Sequence, residues 1–258
     1  MALVQGNIRM ELTTLLLLVA VLGVGTLIGG VGIGGILLPP LLAYVGGLDL
    51  HVAIATSLWS FLFTGLAATL MYARRGSVDR RMVLWLSGGI VPAAVVGARA
   101  NGALPSVALT VLLAAACVAS GLAALVQEPA VERRAAAFGA PTLLSIGALV
   151  GFGSALTGAG GAVLLVPILL ALRASALVAV GASQAIQLPV VAAATLGYAA
   201  SGTVDFTLGT GLGVVEGIGV VLGARLAHAS SPQLLRRLVA LALVGAGCTM
   251  LVRLGIVR

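Results

Sequence analysis

One carboxylate, Glu216, sits in the middle of a long apolar stretch, within Gly213-Val214-Val215-Glu216-Gly217. An ionisable group there is expensive to hold in hydrocarbon and marks a functional position by default. Two roles suit it: a proton carrier that responds to water reaching it, or a neutral structural carboxyl bonded to a neighbouring helix. Gln184 and Gln187 are also costly in an apolar run. Their i, i+3 spacing sets them side by side on one helix face, where two amides would line a cavity. Thr56, Ser57 and Ser183 offer hydroxyls that can donate to the oxygens of a small anion without adding charge; the bland use of such hydroxyls is a bond back to the preceding helical turn. Two glycine clusters complete the set, Gly32, Gly34 and Gly35 in one place and Gly158, Gly160 and Gly161 in another. A helix broken at glycine turns free N–H groups and the positive end of its dipole toward the gap, which suits an oxyanion. Small residues also let helices pack closely, so each cluster reads as site or as seam. That both precede a proline and occupy equivalent places favours the site.

The remaining reactive side chains form no constellation. His51 stands at a helix start beside Asp49, His228 lies just past an apolar run, and Cys117 and Cys248 lie inside two others. This is no metal-ligand spacing and no disulfide framework, and nothing calls for a cofactor. An intramembrane serine hydrolase would need a histidine beside Ser154 or Ser183, and neither has one in sequence, so an enzyme is not expected. Asp79 and Asp205 open helices and are expected to serve as N-caps. Trp59, Trp85, Tyr72 and Tyr198 read as core or interfacial aromatics.

The elements that must position these residues are apolar and long. Of 258 residues, 60% are hydrophobic and 8% charged, against roughly 25% charged in a soluble domain. Runs of about 20 residues cross the roughly 30 Å of hydrocarbon in a bilayer, and residues 12–28, 52–72, 82–98, 107–126, 135–156, 174–200, 206–226 and 238–252 all qualify. The expectation is an all-α, polytopic bundle of 8–10 membrane segments, the first run being a retained helix and not a secretory leader. The net charge is +7 and all 14 basic residues are arginine. They stand singly or in pairs between apolar runs, as topogenic charges facing cytoplasm and anionic lipid do, so nucleic acid is not an expected partner.

The chain also repeats itself at a constant shift, as from Gly34 to Gly160 (160 − 34 = 126). The shift lays Gly32 on Gly158, Ser57 on Ser183, Tyr72 on Tyr198, Asp79 on Asp205 and Arg99 on Arg225. Tyrosine, aspartate and arginine are scarce here, so their registration carries the inference of duplication. The halves are read as 1–127 and 136–258, joined by a polar cytoplasmic linker at 128–135. Each opens with a glycine-interrupted segment followed by three spanning helices. Arg74, Arg75, Arg80 and Arg81 crowd one loop of the first half, while the equivalent residues 201–205 carry none. The next loop reverses this, with Arg99 alone against Arg225, Arg236 and Arg237. Cytoplasmic loops collect arginine, so corresponding loops are expected on opposite sides, as in inverted repeats. Counting every arginine separates the topologies poorly, ten inside and four outside against nine and five for a parallel arrangement. The swapped loops carry the expectation.

The motifs resemble a known family. Gly32-Ile33-Gly34-Gly35 with Pro39-Pro40-Leu41-Leu42 after it, then His51 through Ser57, are similar to the sulfite exporter TauE/SafE family. A second copy runs from Gly158-Ala159-Gly160-Gly161 to Pro167 and on to Ala179-Val180-Gly181-Ala182-Ser183. The Tyr-x-x-x-Gly-x-Val-Asp stretches at 72–79 and 198–205 fit the same pattern, and the resemblance covers essentially the whole chain. It implies a multi-pass protein of a bacterial inner membrane that moves sulfur-containing anions such as sulfite or organosulfonates, often outward. Ile36 departs from it, since many relatives carry a third consecutive glycine there. A passive anion channel would leave a similar glycine pattern; duplicated broken helices and an embedded acid favour alternating access, with protons as a possible second substrate.

Overall fold

A computed structural model describes residues 2–74, 78–126, 138–229 and 232–256. The whole of the expected linker (128–135), which includes Arg133 and Arg134, lies outside the described residues, as do Arg75 and Arg258. Among the described residues the chain is all-helical. The first half comprises α1 (Ala2–Val31), a single 3-10 turn (Gly35–Leu37), α2 (Leu38–Tyr44), α3 (Leu50–Arg74), α4 (Arg80–Ala103) and α5 (Ser106–Val126). The second comprises α6 (Ala140–Thr157), α7 (Gly161–Ala171), α8 (Ala176–Ala185), α9 (Gln187–Ala199), α10 (Phe206–Ala229) and α11 (Pro232–Ile256). Eight helical stretches are long and apolar enough to cross a membrane, with two shorter apolar pieces, Gly35–Tyr44 and Gly161–Ala171, after the glycine breaks. The surface is that of a lipid-facing bundle, with large apolar side chains such as Leu84 and Leu196 about 70% exposed.

Local chemistry explains the boundaries. Asp79 caps α4, its carboxylate accepting from the N–H groups of Arg81 and Met82, and Asp205 accepts from Leu208 N–H at the start of α10. Both act as the sequence suggests. The span that looks continuous from 174 to 200 is instead divided at Ile186 into α8 and α9. Pro189 is the cause, since its ring clashes with the carbonyl four residues earlier, at Ala185, and it has no N–H to donate.

The packing repeats itself as the sequence does. α1 lies along α10 and α4 along α6, the two most extensive helix pairs, and these are equivalent pairs under the 126-residue shift. The glycine seams correspond residue by residue: Gly25 admits the backbone of Glu216, and Gly151 admits that of Ile90, its equivalent. α5 packs on its own copy, α11. A Cβ at Gly121 would stand 2.8 Å from the Ala240 carbonyl oxygen, and one at Gly247 the same 2.8 Å from that of Ala114.

These seams also give relative directions. Leu22 meets Gly219 and Thr26 meets Gly223, so α1 and α10 run parallel. Thr56 meets Gly209 and Ser60 meets Gly213, so α3 and α10 also run parallel. Hence α1 and α3 point the same way, and the glycine break, 3-10 turn and α2 must carry the chain back between them. Along α5 and α11 the contacts climb in one helix as they fall in the other, so these copies are antiparallel.

A side chain at either seam glycine would force α5 and α11 apart. Gly121→Leu and Gly247→Leu should each cost about 1–3 kcal/mol, the usual penalty of overpacking, and by similar amounts because the seam is reciprocal. Thermal unfolding in detergent measures this. An unchanged midpoint in either variant would mean the helices separate freely and the seam is not tight.

Candidate functional site: a cavity between two glycine breaks

Both glycine breaks converge on the middle of α3. A small cavity of about 10 Å³ is lined from the first half by Ile28, Gly32, Gly35 and Phe61, and from the second by Gly160, Ala162, Val163 and Gln187 among others. That is room for roughly one water. Phe61 and Gln187 are equivalent under the repeat (187 − 61 = 126) and both line the cavity, one from each half.

The two breaks are built differently. α6 ends at Gly158, left-handed with φ 68°, and Gly160 then opens α7 with φ 70° and no capping side chain. Both conformations are readily open only to glycine. The last carbonyls of α6 have no helical partner and find side chains: the Tyr198 hydroxyl donates to Ala155 O and Asn101 Nδ2 donates to Leu156 O at 2.8 Å. Asn101 Oδ1 in turn lies 3.0 Å from Nδ1 of His51. α1 ends at Gly32, φ 79°, whose carbonyl is the 3.5 Å partner of Gln184 Nε2.

The residues singled out from sequence divide into those at the cavity and those near it. Gly32, Gly35, Gly160 and Gln187 line it. Gly34 packs against the last turns of α1, at Val24, Leu27 and Ile28, and Gly161 packs against Ile186 and Val190. Gly158 fits between Pro39 and Ile54. The Ser57 and Ser183 hydroxyls donate to Ala53 O and Ala179 O, four residues back, and Thr56 Oγ1 accepts from Asp205 N–H at 3.2 Å. All three hydroxyls are thus engaged with backbone. Gln184 and Gln187 are both buried, and each has a side-chain oxygen with no hydrogen-bond partner.

Glu216 is fully buried at the junction of α1, α3 and α10. Its Oε2 accepts from Ser60 Oγ at 2.8 Å, and its Oε1 has no partner. Ser60 immediately precedes Phe61, the cavity wall. In the other half the equivalents of Ser60 and Glu216 are Ile186 and Ile90, so the polar pair has an apolar counterpart in the same architecture.

Sequence reasoning missed Phe61, Ser60, Thr64 and Asn101. Phe61 was findable as the repeat partner of Gln187. Ser60 and Asn101 had no such signal, because their partners lie 156 and 55 residues away in the chain.

A family model described as Sulfite exporter TauE/SafE matches residues 8–250. No curated protein and no solved structure matches the chain.

Proposed function

The chain belongs to the sulfite exporter TauE/SafE family, a family of multi-pass membrane transporters, and we propose that it carries small sulfur-containing anions across a bacterial inner membrane by alternating access. The observation that carries this reading is the cavity between the halves. Each half brings one broken helix to it, and the start of α7 delivers unpaired backbone N–H groups and a positive dipole end. At about 10 Å³ it is too small for an oxyanion, so the cavity must widen to load, and the two glycine breaks that line it are where its wall can move. Glu216, one residue removed from the cavity wall through Ser60, is the group assigned to proton coupling.

Uptake into proteoliposomes across sulfite, sulfate, thiosulfate and simple sulfonates tests the reading. Saturable sulfite flux with trans-stimulation supports alternating access. Flux that never saturates and shows no exchange replaces it with a passive channel, and no flux of any sulfur anion removes it.

The halves are proposed to be inverted across the membrane. The antiparallel course of α5 and α11 supports this, since copies related by an axis along the membrane normal would run in the same direction. The arginines agree. The register of α3 on α10 (209 − 56 = 153) sets Arg74 level with residue 227, beside Arg225. At the other end, the Arg253 guanidinium stacks 5.1 Å from the ring of Tyr44. With the arginine-rich end in the cytoplasm, each half makes five passages. Single cysteines at Ser77, Thr203 and Ser230, with Cys117 and Cys248 replaced, should label from inside, outside and inside. Labelling of 77 and 203 from the same side rules the inversion out.

A further inference from the structure

Taken together with the transport reading on which it rests, the lining of the cavity narrows the substrate. No charged side chain stands among the described residues that line it. Its donors are backbone: Gly160 brings no capping side chain, so the N–H groups of Ala162 and Val163 have no acceptor within α7. Its one polar side chain is Gln187, 3% exposed. Gln187 Nε2 donates to Thr64 Oγ1 at 3.1 Å and lies 3.5 Å from Phe61 O, while Oε1 has no donor at all. A buried acceptor left without a donor is costly, and here it belongs to the residue that walls the cavity.

We infer that the cavity takes a singly charged oxyanion that still carries a hydroxyl proton: hydrogensulfite, and not the sulfite or sulfate dianion. The unprotonated oxygens accept from the first turn of α7, and the O–H donates to Gln187 Oε1. A helix terminus offers about half an elementary charge, which goes far toward balancing one negative charge and leaves a second uncompensated. A dianion has no proton for the Gln187 oxygen and would set two buried acceptors against each other. The groups around the cavity do not change this balance. Arg74, the last residue of α3, and Arg173, beyond the end of α7, are exposed, and the carboxyl of Glu216 on α10 meets Ser60, outside the lining.

The test is competition for exchange of radiolabelled sulfite in proteoliposomes of the full chain. Both sides are held at the same acid pH, where hydrogensulfite predominates. Unlabelled hydrogensulfite, sulfate and methanesulfonate are the competitors. A site that hydrogen-bonds a substrate hydroxyl discriminates strongly against analogues lacking it. Sulfate should therefore compete at least about tenfold less well than hydrogensulfite. Methanesulfonate, singly charged but without a hydroxyl, should also compete weakly, and Gln187→Met should narrow its gap to hydrogensulfite. Sulfate competing as well as hydrogensulfite overturns the inference even if Gln187→Met fails to insert. So does a methanesulfonate gap that Gln187→Met leaves unchanged. If no sulfur anion exchanges in the wild type, the transport reading fails and this one falls with it.

Discussion

Gly160→Val is expected to reduce sulfite exchange to background while the protein still inserts and folds. Gly160 combines φ 70° with ψ 151°, a region essentially reserved to glycine, and any other residue there carries about 1–3 kcal/mol of strain. Strain alone would lower stability. The larger effect is occupancy, because the residue lines a cavity of only about 10 Å³. A Cβ at Gly160 would stand 3.5 Å from the Phe61 ring, in ordinary contact, so it is the two further methyls of valine that fill the space. Gly202 separates the two effects. It has φ 66° with nothing within 4 Å of a Cβ, and it lies in the turn between α9 and α10. Gly202→Ala should therefore show a loss of stability with flux retained, and Gly160→Ala a partial loss of flux. Wild-type flux in a well-expressed Gly160→Val protein would return this glycine to a packing role. Gly34→Val is the weaker test, because Gly34 faces the end of α1 and its substitution would disturb packing first.

Glu216→Gln is expected to abolish accumulation driven by a pH gradient while leaving exchange of the anion intact. Coupling one proton to each anion multiplies the sustained concentration ratio by about ten per pH unit, and Glu216→Gln should remove that factor, leaving only the ratio set by protonation of sulfite itself. At the α1–α10 seam Gly25 meets the backbone of Glu216, and at the equivalent seam Gly151 meets the backbone of Ile90. Helix packing therefore does not require an acid there. Glutamine keeps the shape and can still accept from Ser60, but it cannot release a proton. The carboxyl oxygen with no partner leaves room for a water or proton donor to arrive when the halves part, and ionisation inside a membrane is costly until water does. Glu216→Ile, which copies the first half, guards against misreading a folding defect. If it folds and transports without coupling, the carboxyl is specific to coupling. Accumulation at the wild-type level in Glu216→Gln would make Glu216 structural and place coupling elsewhere.

Much of this architecture was legible along the chain. Hydropathy marks the spans because hydrocarbon admits only helices whose backbone is satisfied internally. The repeat is legible because it is a property of order alone, while the reciprocal seams at Gly25 and Gly151, which follow the same shift, came from the packing. The swapped arginines and the antiparallel course of α5 and α11 are two separate supports for the proposed inversion. The break at Ile186 was signalled by Pro189 and passed over, since proline inside an apolar run often leaves a helix whole, as Pro92 does in α4.

The site was only partly legible. Residue types and spacing singled out the glycine clusters, Gln187 and Glu216, because these are costly or conformationally unusual in a membrane helix wherever they point. What they point at depends on how helices cross, and no local rule encodes that. Tertiary packing alone decides that Gly35 and Gly160 open onto a cavity while Gly34 and Gly161 serve as close contacts. It alone directs the hydroxyls of Ser57 and Ser183 back to their own helices, sets the Gln187 amide beside the Phe61 carbonyl, and brings Ser60 to Glu216 from 156 residues away. A linear pattern records which side chains are expensive to bury; the crossing of α3 with α9 and α10, and the approach of Gly160 to Phe61, determine which of them share one small space.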